Sequence, residues 1–146
     1  MLVEDLPTEV YNFEIDLKSC PGVKEGRYRV SLAVVTSEVE FNERIDRESL
    51  NSFDGIVMDI MLRRTSNRAG GTRELETTKT RFDAGIRCCH ELRSKGWSTP
   101  VLLCSHYGRQ DLDLSGLPRQ VSFAEKARLK RLLPGFLDKL SPPFPV

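Results

Sequence analysis

Five short apolar or β-rich runs constrain the fold of this chain more than any other feature: Met1–Val3, Val30–Val35, Gly55–Ile60, Val101–Cys104 and Val121–Phe123. Between them lie stretches with helical signals. Ser37-Glu38-Val39-Glu40 has the Ser-x-x-Glu form of a capping box, in which side chains satisfy the first free amides of a helix. Ile86, Cys89 and Leu92 recur at helical spacing, and Lys95-Gly96 supplies a cationic last turn with a glycine stop. Near the end, Leu129, Leu132, Leu133, Phe136, Leu137 and Leu140 mark one apolar helical face. Pro134-Gly135 interrupts that face, so the spacing favours a last helix that starts at Pro134 over one that runs through it.

One segment reads both ways. Tyr11, Phe13, Ile15 and Leu17 alternate with polar residues as in a strand, whereas Val10, Phe13 and Leu17 suit a helix closed by Cys20-Pro21-Gly22. Alternation of strands and helices elsewhere favours a parallel α/β sheet, in which this segment is the first crossover helix. Two segments read as loops: 63–80, rich in Thr, Arg and Gly, and the Pro-rich 141–146 tail, a linker stub or terminus. Met1 stands almost inside the first run, which leaves room for a longer natural chain.

With 146 residues the chain suits one domain able to bury a core. Its 22 basic and 21 acidic residues leave a net charge of +1, giving no electrostatic case for direct nucleic-acid binding or an acidic membrane surface. No apolar run approaches the roughly 20 residues of a membrane span, and no signal peptide opens the chain. Cys20, Cys88, Cys89 and Cys104 form no CxxC pair, which fits reduced thiols in a cytoplasmic protein better than disulfides or zinc.

In an open parallel sheet, ligands bind beyond the carboxyl ends of the strands. The polar residues there are Glu4 and Asp5 after the first run, Asp59 in the third, Ser105 after the fourth and Lys126 past the fifth. Clustered carboxylates repel and call for a cation, and a small hard one such as Mg²⁺ suits oxygen ligands better than zinc does. Asp59, alone in Val57-Met58-Asp59-Ile60-Met61, is costly to bury unless paired or used. As a nucleophile it could attack phosphorus and form an acyl phosphate, with Lys126 stabilising the phosphoryl oxygens.

Val3-Glu4-Asp5-Leu6-Pro7, Asp54-Gly55-Ile56-Val57-Met58-Asp59-Ile60-Met61-Leu62, Val101-Leu102-Leu103-Cys104-Ser105 and Phe123-Ala124-Glu125-Lys126 together resemble the receiver domain of two-component response regulators. The resemblance spans nearly the whole chain. It implies a flavodoxin-like three-layer sandwich over 1–140, with a five-stranded parallel sheet in the order 2-1-3-4-5 and an extended loop after the third strand. It also implies that Asp59 is the phosphorylated aspartate, that Asp5 binds Mg²⁺ directly, and that Glu4 acts through metal-bound water. Met61 would lend its carbonyl to the metal, Ser105 would be the switch hydroxyl, Lys126 would pair with the phosphoryl group, and Phe123 would report activation through its rotamer.

The implied function is Mg²⁺-dependent acceptance of a phosphoryl group from a sensor histidine kinase or histidine phosphotransfer protein. The gained charge of about −1.5 to −2 would then change how the domain meets a downstream protein or fused effector domain; a homodimer is compatible with the family. Such a chain is a phosphorelay component and not a turnover enzyme. The alternative is a pseudo-receiver that binds partners without phosphorylation.

The chain departs from the family at three places: Ala127 replaces the proline after the lysine, Arg63 replaces the proline four residues past the aspartate, and 63–80 reads as an insertion. Six basic and three acidic residues between Arg63 and Asp83 suggest a basic flap, although a solvated loop is the plainer reading. His90 reads as solvent-facing, and His106 lies beside the expected site. An aspartate-based phosphohydrolase has less support, because Asp59-Ile60-Met61 lacks a second carboxylate; Gly70-Gly71-Thr72 is not a P-loop.

Overall fold

The structure, a computed structural model, describes residues 1–63 and 83–140. Five strands, β1 (Leu2–Val3), β2 (Val34–Val35), β3 (Ile56–Asp59), β4 (Val101–Ser105) and β5 (Val121–Glu125), form one parallel sheet in the order β2-β1-β3-β4-β5. Among the described residues the α-helices are α1 (Pro7–Ser19), α2 (Pro21–Lys24), α3 (Glu38–Arg47), α4 (Ala84–Ser94) and α5 (Leu129–Leu140). The expected flavodoxin-like three-layer sandwich and its strand order are present. The tail at 141–146, and the suggested insertion beyond Arg63, lie outside the described residues.

The period of two along each strand divides the interior into two cores. Val3, Ile56, Met58, Val101 and Leu103 face Phe41 and Ile45 of α3 and Cys88, Cys89 and Leu92 of α4. Leu2, Val57, Leu102, Cys104 and Ala124 face Phe13 and Leu17 of α1 and Leu133 of α5. Burial of each large apolar side chain contributes roughly 1.5–3 kcal/mol. These two faces hold the crossover helices against the sheet, leaving its carboxyl edge to the loops.

Topology decides the segment that reads both ways: Pro7–Ser19 is helical, with Pro7 in its first turn and Phe13 and Leu17 buried. Ser37 Oγ accepts the Glu40 amide at 3.1 Å, as a capping box requires. The Glu40 carboxylate, however, accepts from the Thr36 amide and hydroxyl at 2.8 and 2.9 Å instead of returning to Ser37. Gly96 follows α4 with φ +83° and lets the Trp97 amide reach the Leu92 carbonyl at 3.1 Å, the expected glycine stop.

Three expectations need correction. Only Val34–Val35 of the second run is a strand, because the chain before it runs beside α5, where Tyr28 donates a hydrogen bond to Asp138. The last helix runs through Pro134 from Leu129 to Leu140. The amide that proline lacks would have bonded Lys130, an exposed residue whose carbonyl water can serve, while Leu133 anchors the turn in the core. Leu132 is exposed and lies off the apolar face assigned to it.

The β4–β5 crossover contains only a 3₁₀ turn at Arg109–Asp111 and no α-helix. Leu112, Leu114 and Leu117 of this connection pack on the first core, where a helix face would otherwise lie. All peptide bonds among the described residues are trans, including the one after Lys126. Residues Lys126–Arg128 form a 3₁₀ turn that feeds directly into α5.

Candidate functional site

β1 and β3 are neighbours with Val3 opposite Met58, so one step further along the sheet brings Glu4 beside Asp59. β4 and β5 end in register at Ser105 and Glu125, which places Lys126 just past the same edge. Carboxylate oxygens of Glu4, Asp5 and Asp59 lie within 4.8 Å of one another, and all three residues are buried. Glu4, Asp5 and Asp59 therefore come together, and Ser105 ends β4 at the same edge of the sheet.

Lys126 Nζ donates to Glu4 Oε2 at 2.6 Å and to Asp59 Oδ2 at 3.1 Å. The Leu6 amide donates to the second Glu4 oxygen at 3.1 Å, and the Met61 amide donates to Asp59 Oδ1 at 3.2 Å. Asp5 Oδ2 stands 3.4 Å from Arg63 Nε. Each buried carboxylate thus has a cationic or amide partner, as buried charge requires.

The balance is nevertheless unfavourable to ionised acids. Burial, then the charge of Asp59, pushes the Glu4 carboxyl up to about 7, against the pull of Lys126 and the Leu6 amide. Burial also raises Asp59, with Lys126 and the Met61 amide opposing. For Lys126, burial works against the charged form, but Asp59 and Glu4 outweigh it and the ammonium is held above its usual range. Three enclosed carboxylate donors, with no nitrogen or sulfur among them, fit a hard divalent cation that keeps part of its water shell.

Ser105 is buried at the end of β4, and its Oγ accepts the Tyr107 amide at 3.0 Å, so the hydroxyl is engaged by its own loop. Phe123 is half-buried on the first-core face of β5, with Leu103 as its register partner. Met61 is on the turn after β3, where its amide, as described, holds Asp59. His90 is exposed, as expected. His106 is exposed as well and faces Glu9, with Nε2 3.5 Å from Oε1.

Next to the cluster lies a cavity of about 490 Å³ between α1 and the turn after β5, lined by Leu2, Glu9, Phe13, Asp16, His106 and Leu129 among others. It reaches both Asp59 and Lys126, which leaves room for a small molecule or a side chain beside the carboxylates.

Two contributors went unrecognised in the sequence. Gly85, in the first turn of α4, lies directly against the Asp59 main chain, and its amide donates to the Ile60 carbonyl at 2.8 Å. Its only signal was the small pair Ala84-Gly85 at a helix start. Arg63 stood out as a departure from the family, yet its pairing with Asp5 follows from tertiary structure alone.

No protein-family model, curated protein or solved structure matches this chain.

Proposed function

We propose that this chain is a phosphoacceptor module of the receiver type, which takes a phosphoryl group onto Asp59 from a phosphohistidine on a kinase or phosphotransfer partner. The observation that carries the reading is the placement of Asp59: a buried carboxylate at a strand end, bridged by Lys126 to Glu4 and adjacent to Asp5. Purely structural aspartates have little use for two further buried acids within reach of one cation.

In the reaction, an Asp59 oxygen forms a bond to phosphorus as the P–N bond of the donor breaks. The electron pair leaves on the imidazole nitrogen, which takes up a proton. The Met61 amide fixes the Asp59 carboxylate through Oδ1, and the Lys126 ammonium is in place to meet the charge of the phosphoryl oxygens. Glu4, Asp5 and Asp59 would hold Mg²⁺, with the Met61 carbonyl a further candidate ligand; the bound ion supplies neutralisation between the carboxylates and the incoming phosphoryl group. Ser105 exchanges the Tyr107 amide for a phosphoryl oxygen, and Phe123 and the β5 edge carry the change to a downstream protein or effector domain. A phosphorelay role of this kind belongs in the cytoplasm and involves no turnover of an external metabolite.

A second reading, a pseudo-receiver that binds partners without phosphate, draws on one observation: Asp5 already has an internal cation in Arg63. Beryllofluoride with Mg²⁺ separates the two. The phosphoacceptor reading expects amide shift changes at Asp59, Ser105, Phe123 and Lys126, whereas the pseudo-receiver reading expects none.

A further inference from the structure

Arg63 is fixed at its backbone and partly exposed at its tip. Its carbonyl accepts the Glu38 amide at 2.8 Å, in the first turn of α3. The Glu38 carboxylate is gripped in turn by Arg87, with Nε and Nη2 donating at 2.9 and 2.8 Å. The root of the Arg63 side chain is therefore anchored to α3, which is tied to α4. From there the guanidinium reaches Asp5, whose side chain is 2% exposed while that of Arg63 is 36% exposed. The carboxylate is nearly closed to water, whereas the guanidinium is open to it.

Charge explains what this asymmetry does. Among the described residues, Lys126 pairs with Glu4 and Asp59, and Arg63 is an ion-pair partner of Asp5. A divalent cation seated among the three acids would meet the guanidinium at close range. Of these two cations, Arg63 can withdraw into solvent and Lys126 cannot, because the Lys126 side chain is 7% exposed.

We infer that Arg63 is a built-in counter-ion of Asp5 which a divalent cation must displace in order to bind, so that Arg63 sets the cation affinity of the site. The inference rests on the cation reading under Proposed function. It also gives selectivity. A monovalent ion carries no more charge than the guanidinium it would replace, so the site discriminates against it.

The test is an Mg²⁺ titration of the native protein, Arg63→Gln and Arg63→Lys, followed by the backbone amide shifts of Asp5, Asp59 and Met61. Emission from buried Trp97, the single tryptophan, checks that each variant is folded. Removing a unit positive charge about 5 Å from a divalent ion in a water-accessible setting is worth about tenfold in affinity. Arg63→Gln is therefore expected to bind Mg²⁺ about tenfold tighter than the native protein, and Arg63→Lys, which keeps the charge, to stay within about threefold of it. Arg63→Ala must match Arg63→Gln, and a gain in only one of the two contradicts the inference. Equal affinity in native protein and Arg63→Gln overturns the inference and leaves the cation reading standing. Absence of Mg²⁺-dependent shifts in every protein overturns the cation reading and the inference with it.

Discussion

Gly85, the second residue of α4, lies so close to the main-chain carbonyl of Asp59 that any Cβ at that position would overlap the carbonyl oxygen. The helix that follows the site is thereby seated on the strand end that carries the candidate nucleophile. Gly85→Ala cannot be absorbed by a side-chain rotation, since the atoms it meets are backbone. A loss of about 1–3 kcal/mol in urea unfolding is expected, the usual cost of overpacking. Amide shifts at Asp59 and Ile60 should move with it, while those in α1 stay in place. A neutral effect on both would show that α4 is not seated there.

Lys126→Met leaves Glu4 and Asp59 buried without their shared ammonium. Breaking a buried ion pair by deleting one partner costs about 3–5 kcal/mol. Because burial raises both carboxyls, the cost should be larger near pH 8 than near pH 5. Urea unfolding at the two pH values measures it. A penalty independent of pH would mean that Lys126 contributes packing and not charge.

Glu4 gives a pH dependence of definite sign. Its carboxyl is raised to about 7 from an ordinary value of 4.5, so the folded state binds this proton more tightly than the unfolded state. The stability from that group is fully present below the unfolded value and is lost as pH rises through about 7. Carboxyl carbon NMR should place the Glu4 midpoint near 7 without divalent ions and move it down when Mg²⁺ is added. A midpoint in the ordinary glutamate range would remove the electrostatic tension assigned to the cluster.

Ser105→Ala tests whether this hydroxyl acts as a switch beyond its part in local structure. Losing the bond from the Tyr107 amide costs about 1 kcal/mol, read by thermal unfolding. The larger effect should appear with beryllofluoride and Mg²⁺: shifts at Asp59 persist, but those at Phe123 and Lys126 shrink. Undiminished propagation to β5 would exclude Ser105 as the link.

Much of the fold was legible because short buried strands announce themselves as apolar runs, and parallel topology then forced Pro7–Ser19 to be a helix. Legibility failed where tertiary contacts overrode local signals. Pro134 sits within α5 because Leu133 anchors that turn, and Val30 stays out of the sheet because the chain around Tyr28 is held to Asp138. The same division applies to the site. Glu4, Asp5, Asp59, Ser105 and Lys126 could be read from strand ends, since topology alone brings those ends together. Arg63 and Gly85 could not, since one depends on where a backbone anchor points a guanidinium and the other on the clearance beneath a helix.

The central claim is that Asp59 accepts a phosphoryl group, and the most direct measurement is intact-mass analysis after incubation with acetyl phosphate and Mg²⁺, with peptide mapping of the trapped acyl phosphate. A single phosphoryl adduct is expected on the peptide containing Asp59, dependent on the divalent ion and absent from Asp59→Asn. No adduct on the native protein under conditions where Mg²⁺ binds, or an equal adduct on Asp59→Asn, would contradict it.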